Sequence, residues 1–145
     1  MRRLICAAAI FFCGIFIISC GQLNIFGTWQ GEAVLPGGET VIVTTIYRSN
    51  GTYEQTAVCD GELSEEAQIY LSHLNRKGNM GANHDKLFLS EDPQTAVSTD
   101  IFLTYQLKGD HLTILEYVRE KDAALTETFR PLYPLEFTKI SDDEE

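Results

Sequence analysis

The chain has 145 residues, 11 Lys and Arg against 21 Asp and Glu, a net charge of −10, and four cysteines. That acidity excludes an electrostatically driven nucleic-acid binder, because phosphate backbones would be repelled. The length suits one domain with one core, and no internal repeat argues for a second.

Arg2 and Arg3 precede an almost uninterrupted apolar run from Leu4 to Ile18, which ends at Ser19-Cys20-Gly21. A run of roughly 15 residues falls short of the ~20 that span a bilayer and fits a secretory segment. Its end, Ile17-Ile18-Ser19-Cys20, resembles the lipobox of a bacterial lipoprotein signal. The resemblance implies removal of residues 1–19 and lipidation of Cys20, with the membrane as partner through the acyl chains. Two or more chains hold stably where one binds marginally. Gly21 and Gln22 lack the Asp that this class of signals uses for inner-membrane retention, so the outer membrane is expected in a cell that has one. The 126 residues left would keep 9 of the 11 basic residues and all 21 acidic ones, for a net charge of −12. Cys6 and Cys13 leave with the signal, so Cys59 is the one thiol of the exported domain, with no internal disulfide framework. It reads as a small apolar residue near a strand end.

Residues 20–24 make a short tether to a domain at 25–140. Phe26 to Leu35 is a first strand, stopped by Pro36-Gly37-Gly38, and Thr40 to Arg48 is a second. Ser49-Asn50-Gly51 is a hairpin turn, and Thr52 to Val58 returns as the third strand. A three-residue loop would pair Tyr47 with Tyr53 and Val43 with Ala57, and a two-residue loop Ile46 with Gln55. The aromatic pair favours the first register.

Ala67, Tyr70, Leu71 and Leu74 then fall on one helical stripe, which predicts a helix near residues 64–76. Ser64 would be its N-cap, Glu65 and Glu66 would favour its first turn, and Arg76-Lys77 its last, with Gly78 as the stop. Gly78 to Asp85 reads as a loop, Lys86 to Ser90 as a short strand, and Glu91 to Thr99 as a polar stretch. Ile101 to Val118 is a hairpin about Gly109-Asp110, which pairs Leu107 with Leu112 and Tyr105 with Ile114. Continued in register, it sets Thr104 against Leu115 and Phe102 against Tyr117. Ala124 to Arg130 and Leu135 to Ile140 complete about eight strands. Residues 141–145 read as an acidic, disordered tail.

Gly27-Thr28-Trp29, Gly51-Thr52-Tyr53, Leu107-Lys108-Gly109-Asp110-His111-Leu112 and Phe129-Arg130, in this order, resemble a bacterial lipocalin-like domain. The resemblance implies an all-β fold, an antiparallel up-and-down barrel of about eight strands. It also implies that Arg130 stacks on Trp29 to close the barrel. The inserted helix departs from that family, whose helix usually follows the last barrel strands.

No Gly-x-Ser-x-Gly elbow, phosphate-cradling Gly loop or His-Glu-x-x-His helix is present. His73, His84 and His111 are scattered; His84-Asp85 reads as a solvated loop and His111 as the flank of a turn. Asn50-Gly51-Thr52 matches a glycosylation sequon that its turn explains. No catalytic residue, metal or cofactor is therefore expected. Both faces of the Ile101–Val118 hairpin are apolar, which leaves two readings. Tyr47, Tyr53, Leu103, Tyr105, Leu107, Leu112 and Ile114 line a cavity for a small apolar or amphipathic ligand, or they fill the barrel and the protein acts through a protein partner. A cavity of ~300 Å³ or more would separate them.

Overall fold

The computed structural model describes residues 25–91 and 101–145. The expected signal at 1–19, Cys20 and the tether to residue 24 lie outside the described residues, as does most of the polar stretch after Glu91. The elements are β1 (Gly27–Val34), β2 (Thr40–Tyr47), β3 (Thr52–Val58), α1 (Glu65–Leu74), β4 (Arg76–Ala82), β5 (Lys86–Ser90), β6 (Ile101–Lys108), β7 (His111–Arg119), α2 (Ala123–Phe129), a 3-10 turn (Arg130–Leu132) and β8 (Leu135–Ser141). The strands pair antiparallel in chain order and β8 returns to β1, closing an all-β barrel. No helix among the described residues is long and apolar enough to cross a membrane.

Strand alternation builds the core. On β2, Val41, Val43, Thr45 and Tyr47 are buried while their neighbours face outward. The turn after β2 holds the register in which Tyr47 opposes Tyr53 and Val43 opposes Ala57. Gly51 makes it possible, at φ +85°, where a side chain would be strained. The Gly109-Asp110 turn likewise pairs Leu107 with Leu112 and Tyr105 with Ile114. Beyond them a bulge between Thr104 and Tyr105 shifts the ladder by one. Thr104 therefore meets Glu116, Phe102 meets Val118, and Leu103 meets Tyr117, in place of the Thr104–Leu115 and Phe102–Tyr117 pairs. The extra residue keeps Leu103 and Tyr117 both buried.

Helix α1 starts as its signals predict: the Ser64 hydroxyl accepts from the Ala67 amide at 3.1 Å, and Ala67, Tyr70 and Leu74 are buried. It ends earlier than its basic residues suggest. Asn75 caps it by donating its amide to the Leu71 carbonyl at 3.0 Å, and Arg76 already belongs to β4. The segment expected as a loop from Gly78 is thus mostly strand. Gly78 is required there by proximity, because a Cβ at this position would lie 1.7 Å from the Ser90 carbonyl oxygen.

The other correction is at residues 124–130, expected as a strand. Asp122 accepts from the Leu125 amide at 3.1 Å and caps α2, which covers this segment instead. The barrel still has eight strands, because β4 takes the place of the one lost. The acidic end is also more ordered than expected. The Asp143 carbonyl accepts from Thr28 Oγ1 at 2.8 Å, the Glu144 carbonyl from Arg48 Nε at 2.7 Å, and the Glu144 carboxylate from the Ser49 amide. That last bond, and then Arg48, hold the Glu144 carboxyl below its usual range.

Candidate functional site

Chain connectivity makes the two ends of the barrel different. The turns at Arg48–Gly51, Asn83–Asp85 and Gly109-Asp110 all lie at one end, together with the start of β1. At the other, β3 reaches β4 through α1, and β7 reaches β8 through α2. The two helices meet there: His73 stacks on Phe129 with ring centroids 3.5 Å apart, and Tyr70 meets the same ring edge-on at 5.7 Å. One end is closed by packed rings, and the other is not.

At the turn end lies a cavity of about 580 Å³. Ile25, Phe26, Ala82, Tyr105 and Leu107 give it apolar walls, and His84, Asp85 and Lys108 are among its polar residues. Tyr105 is fixed in place, since its hydroxyl donates to the Asn83 carbonyl at 3.0 Å and its amide to the Asp85 carbonyl at 2.9 Å. Burial, then the Asp85 charge, raises its phenol pKa, so the hydroxyl remains a neutral donor.

Of the residues expected to line a cavity, only Tyr105 and Leu107 do so here. Tyr47, Tyr53, Leu103, Leu112 and Ile114 are buried in one continuous core. Burial pushes the Tyr53 phenol up to about 12 and holds that of Tyr47 higher still. Both are neutral fillers of the barrel at physiological pH.

Trp29 is fully buried, and its indole nitrogen donates to the Ile25 carbonyl at 2.7 Å. The cation over its ring is Lys139, with Nζ 5.3 Å from the centroid, and not Arg130. The reason is topological: β8 pairs Lys139 directly with Trp29, whereas Arg130 sits in the 3-10 turn at the helical end. Its side chain is 66% exposed and pairs with Glu127 at 2.8 Å. Cys59 is half-buried against the core.

The residue that sequence reasoning missed is Arg76. Read as the basic last turn of a helix, it is instead the first residue of β4, opposite Gln55, and only 9% exposed. Its guanidinium carbon lies 5.8 Å from the centre of the Tyr117 ring. The two-residue alternation of Arg76, Gly78, Met80 and Ala82 was the available signal. The stronger helix-end chemistry of Arg76-Lys77-Gly78 obscured it.

No group of three or more potential metal ligands converges among the described residues. No family model matches the chain, and neither the curated proteins nor the solved structures contain a match.

Proposed function

We propose that this protein is a membrane-anchored envelope lipoprotein that binds a small apolar or amphipathic molecule, without catalysis, at the open end of its barrel. The observation that carries the reading is the cavity of about 580 Å³, within the size range of small-molecule sites. Its apolar walls come from the chain entering β1, from β4 and from β6, with polar groups on the same cleft. Ile25 and Phe26 begin five residues after the expected lipid anchor at Cys20. At roughly 3.5 Å per residue, that tether would keep the cavity within about 18 Å of the anchoring cysteine, close to a source of amphiphiles.

The test is a thermal-shift and titration panel of neutral amphiphiles, such as decanol and a monoacylglycerol, on the full chain. Binding should raise Tm by linkage. Leu107→Trp, at a half-buried wall position, should weaken binding about tenfold at little cost in stability. No shift across the panel, or no effect of Leu107→Trp, would overturn the reading. For the anchor, Cys20→Ser should abolish membrane retention; an unmodified Cys20 in the mass spectrum of the native protein would sink that part.

One observation favours the second reading, a protein-interaction lipoprotein. The inner residues pack as a filled core, while Ile42 and Val58 oppose each other across β2 and β3 and are both exposed. Loss of a partner on Ile42→Glu, with ligand binding absent, would select it.

A further inference from the structure

Arg76, buried just past the end of α1, has no ion-pair partner among the described residues. Arg76 Nε and Nη1 have no hydrogen-bond partner among the described residues. The opposing Gln55 does not supply one. Its Oε1 accepts from Thr45 Oγ1 at 2.9 Å and its Nε2 donates to the Leu74 carbonyl at 3.0 Å. Nor do the nearby carboxylates: Glu91 bonds both Nη atoms of Arg119, at 3.2 and 3.1 Å, and Glu127 pairs with Arg130.

Three phenols surround the same guanidinium. The hydroxyls of Tyr53, Tyr117 and Tyr133 are buried without a well-formed hydrogen bond among the described residues; each interacts electrostatically with Arg76, and Tyr133 draws on Arg76 itself and Tyr117 on Arg119. Burial works against the charge of Arg76, yet the influence of these hydroxyls leaves its pKa above the ordinary value. Buried polar groups are nearly always hydrogen-bonded, and an unpaired buried cation is among the most destabilising arrangements a fold can carry. What the four groups have in common is that each can donate. Guanidinium only donates, and a phenol does so readily. One acceptor-rich group of negative charge would satisfy all of them.

A cleft lies beside two of the phenols. Strand β7 pairs with β8 only from His111 to Ile114, although it continues to Arg119. Past that point a cleft of about 250 Å³ opens, with Leu115 to Val118 on one side and Arg130 and Tyr133 on the other. Tyr117 and Tyr133 stack there, with ring centroids 5.6 Å apart. Two of the three phenols therefore belong both to this cleft and to the surroundings of Arg76. Glu116 opposes an approaching anion at the rim and Arg130 favours it.

We propose that Arg76, Tyr53, Tyr117 and Tyr133 form an internal receptor for an oxyanion, a carboxylate or phosphate group, reached through the cleft between β7 and Tyr133. In a chain of net charge −10, such a site must rest on local donors rather than on the overall field. Charge-assisted bonds to an oxyanion are the strong class of hydrogen bond. The receptor is separate from the cavity at the other end of the barrel.

The test is calorimetric titration and thermal shift of the full chain, at constant ionic strength, with acetate, inorganic phosphate, octanoate and octyl phosphate. We expect saturable binding of at least one, and a Tm rise of several degrees at about a hundredfold excess over Kd. Binding of acetate or phosphate identifies a free oxyanion; binding of the octyl compounds alone identifies the head of an amphiphile. Arg76→Met should abolish binding. Tyr133→Phe should weaken it about tenfold or more while leaving the free protein folded, because it removes one donor to the anion and keeps the ring. Leu107→Trp should leave anion binding intact. Absence of binding by all four anions, or binding unchanged in Tyr133→Phe, would overturn the proposal.

Discussion

His73 should make this barrel lose stability in mild acid. It lies in the last turn of α1, 9% exposed, stacked face to face on Phe129 and edge-on to Tyr117 at 4.9 Å. Its Nε2 is buried without a partner among the described residues. Burial, and then the charges of Arg76 and Arg119, push its pKa down to about 2, from 6.5 in the unfolded chain. The folded value lies below the unfolded one. Between them the unfolded chain binds a proton that the folded chain does not, so stability falls as pH falls below about 6.5. The slope approaches ~1.4 kcal/mol per pH unit, which amounts to roughly 2 kcal/mol between pH 7.5 and 5.0. Urea unfolding followed by the fluorescence of the single tryptophan, Trp29, measures it. His73→Phe keeps a ring against Phe129 and removes the titration, while the carboxylates titrate alike in both proteins. Wild type should therefore lose about 2 kcal/mol more than the variant over that range. An equal loss in the two proteins would refute the reasoning.

Lys139 should couple to Trp29 where Arg130 does not. Trp29→Ala should cost ~3–5 kcal/mol and a double-mutant cycle with Lys139→Met should show ~0.5–2 kcal/mol of coupling. Arg130→Ala should stay within about 0.5 kcal/mol of wild type. Far-UV circular dichroism is the readout, since one variant lacks the tryptophan, and coupling of Trp29 to Arg130 instead would reinstate the expected clasp. Gly78→Ala should cost ~3 kcal/mol or more by driving a methyl into the Ser90 carbonyl. Gly81→Ala on the same strand meets only the Phe88 ring, at 3.9 Å, and should cost under ~1 kcal/mol; similar chemical-denaturation midpoints for the two would contradict the close approach at Gly78.

Much of the fold was legible because it is local. Asn50-Gly51 and Gly109-Asp110 carry their turn geometry in their own dihedral preferences, so the Tyr47–Tyr53 and Leu107–Leu112 registers follow from the residues alone. Ser64 and the stripe from Ala67 to Leu74 likewise specify the start and inner face of α1. What tertiary structure decided is where local signals conflict or stay silent. Arg76-Lys77-Gly78 has the chemistry of a helix end, yet pairing with Tyr53 and Gln55 draws it into β4 and turns Arg76 inward. Thr126, Thr128 and Phe129 suit a strand by propensity. Packing of Phe129 on His73 and Tyr70, across the end of the barrel, holds them in a helix. The same holds for the sites. Alternation marked Tyr105 and Leu107 as inward or bordering, but separating a cavity wall from a filled core depends on how all eight strands close around one another. The choice of Lys139 over Arg130 beside Trp29, and the meeting of Arg76 with three phenols from β3, β7 and the segment before β8, are contacts between residues far apart in the chain. No local preference encodes them; barrel closure does.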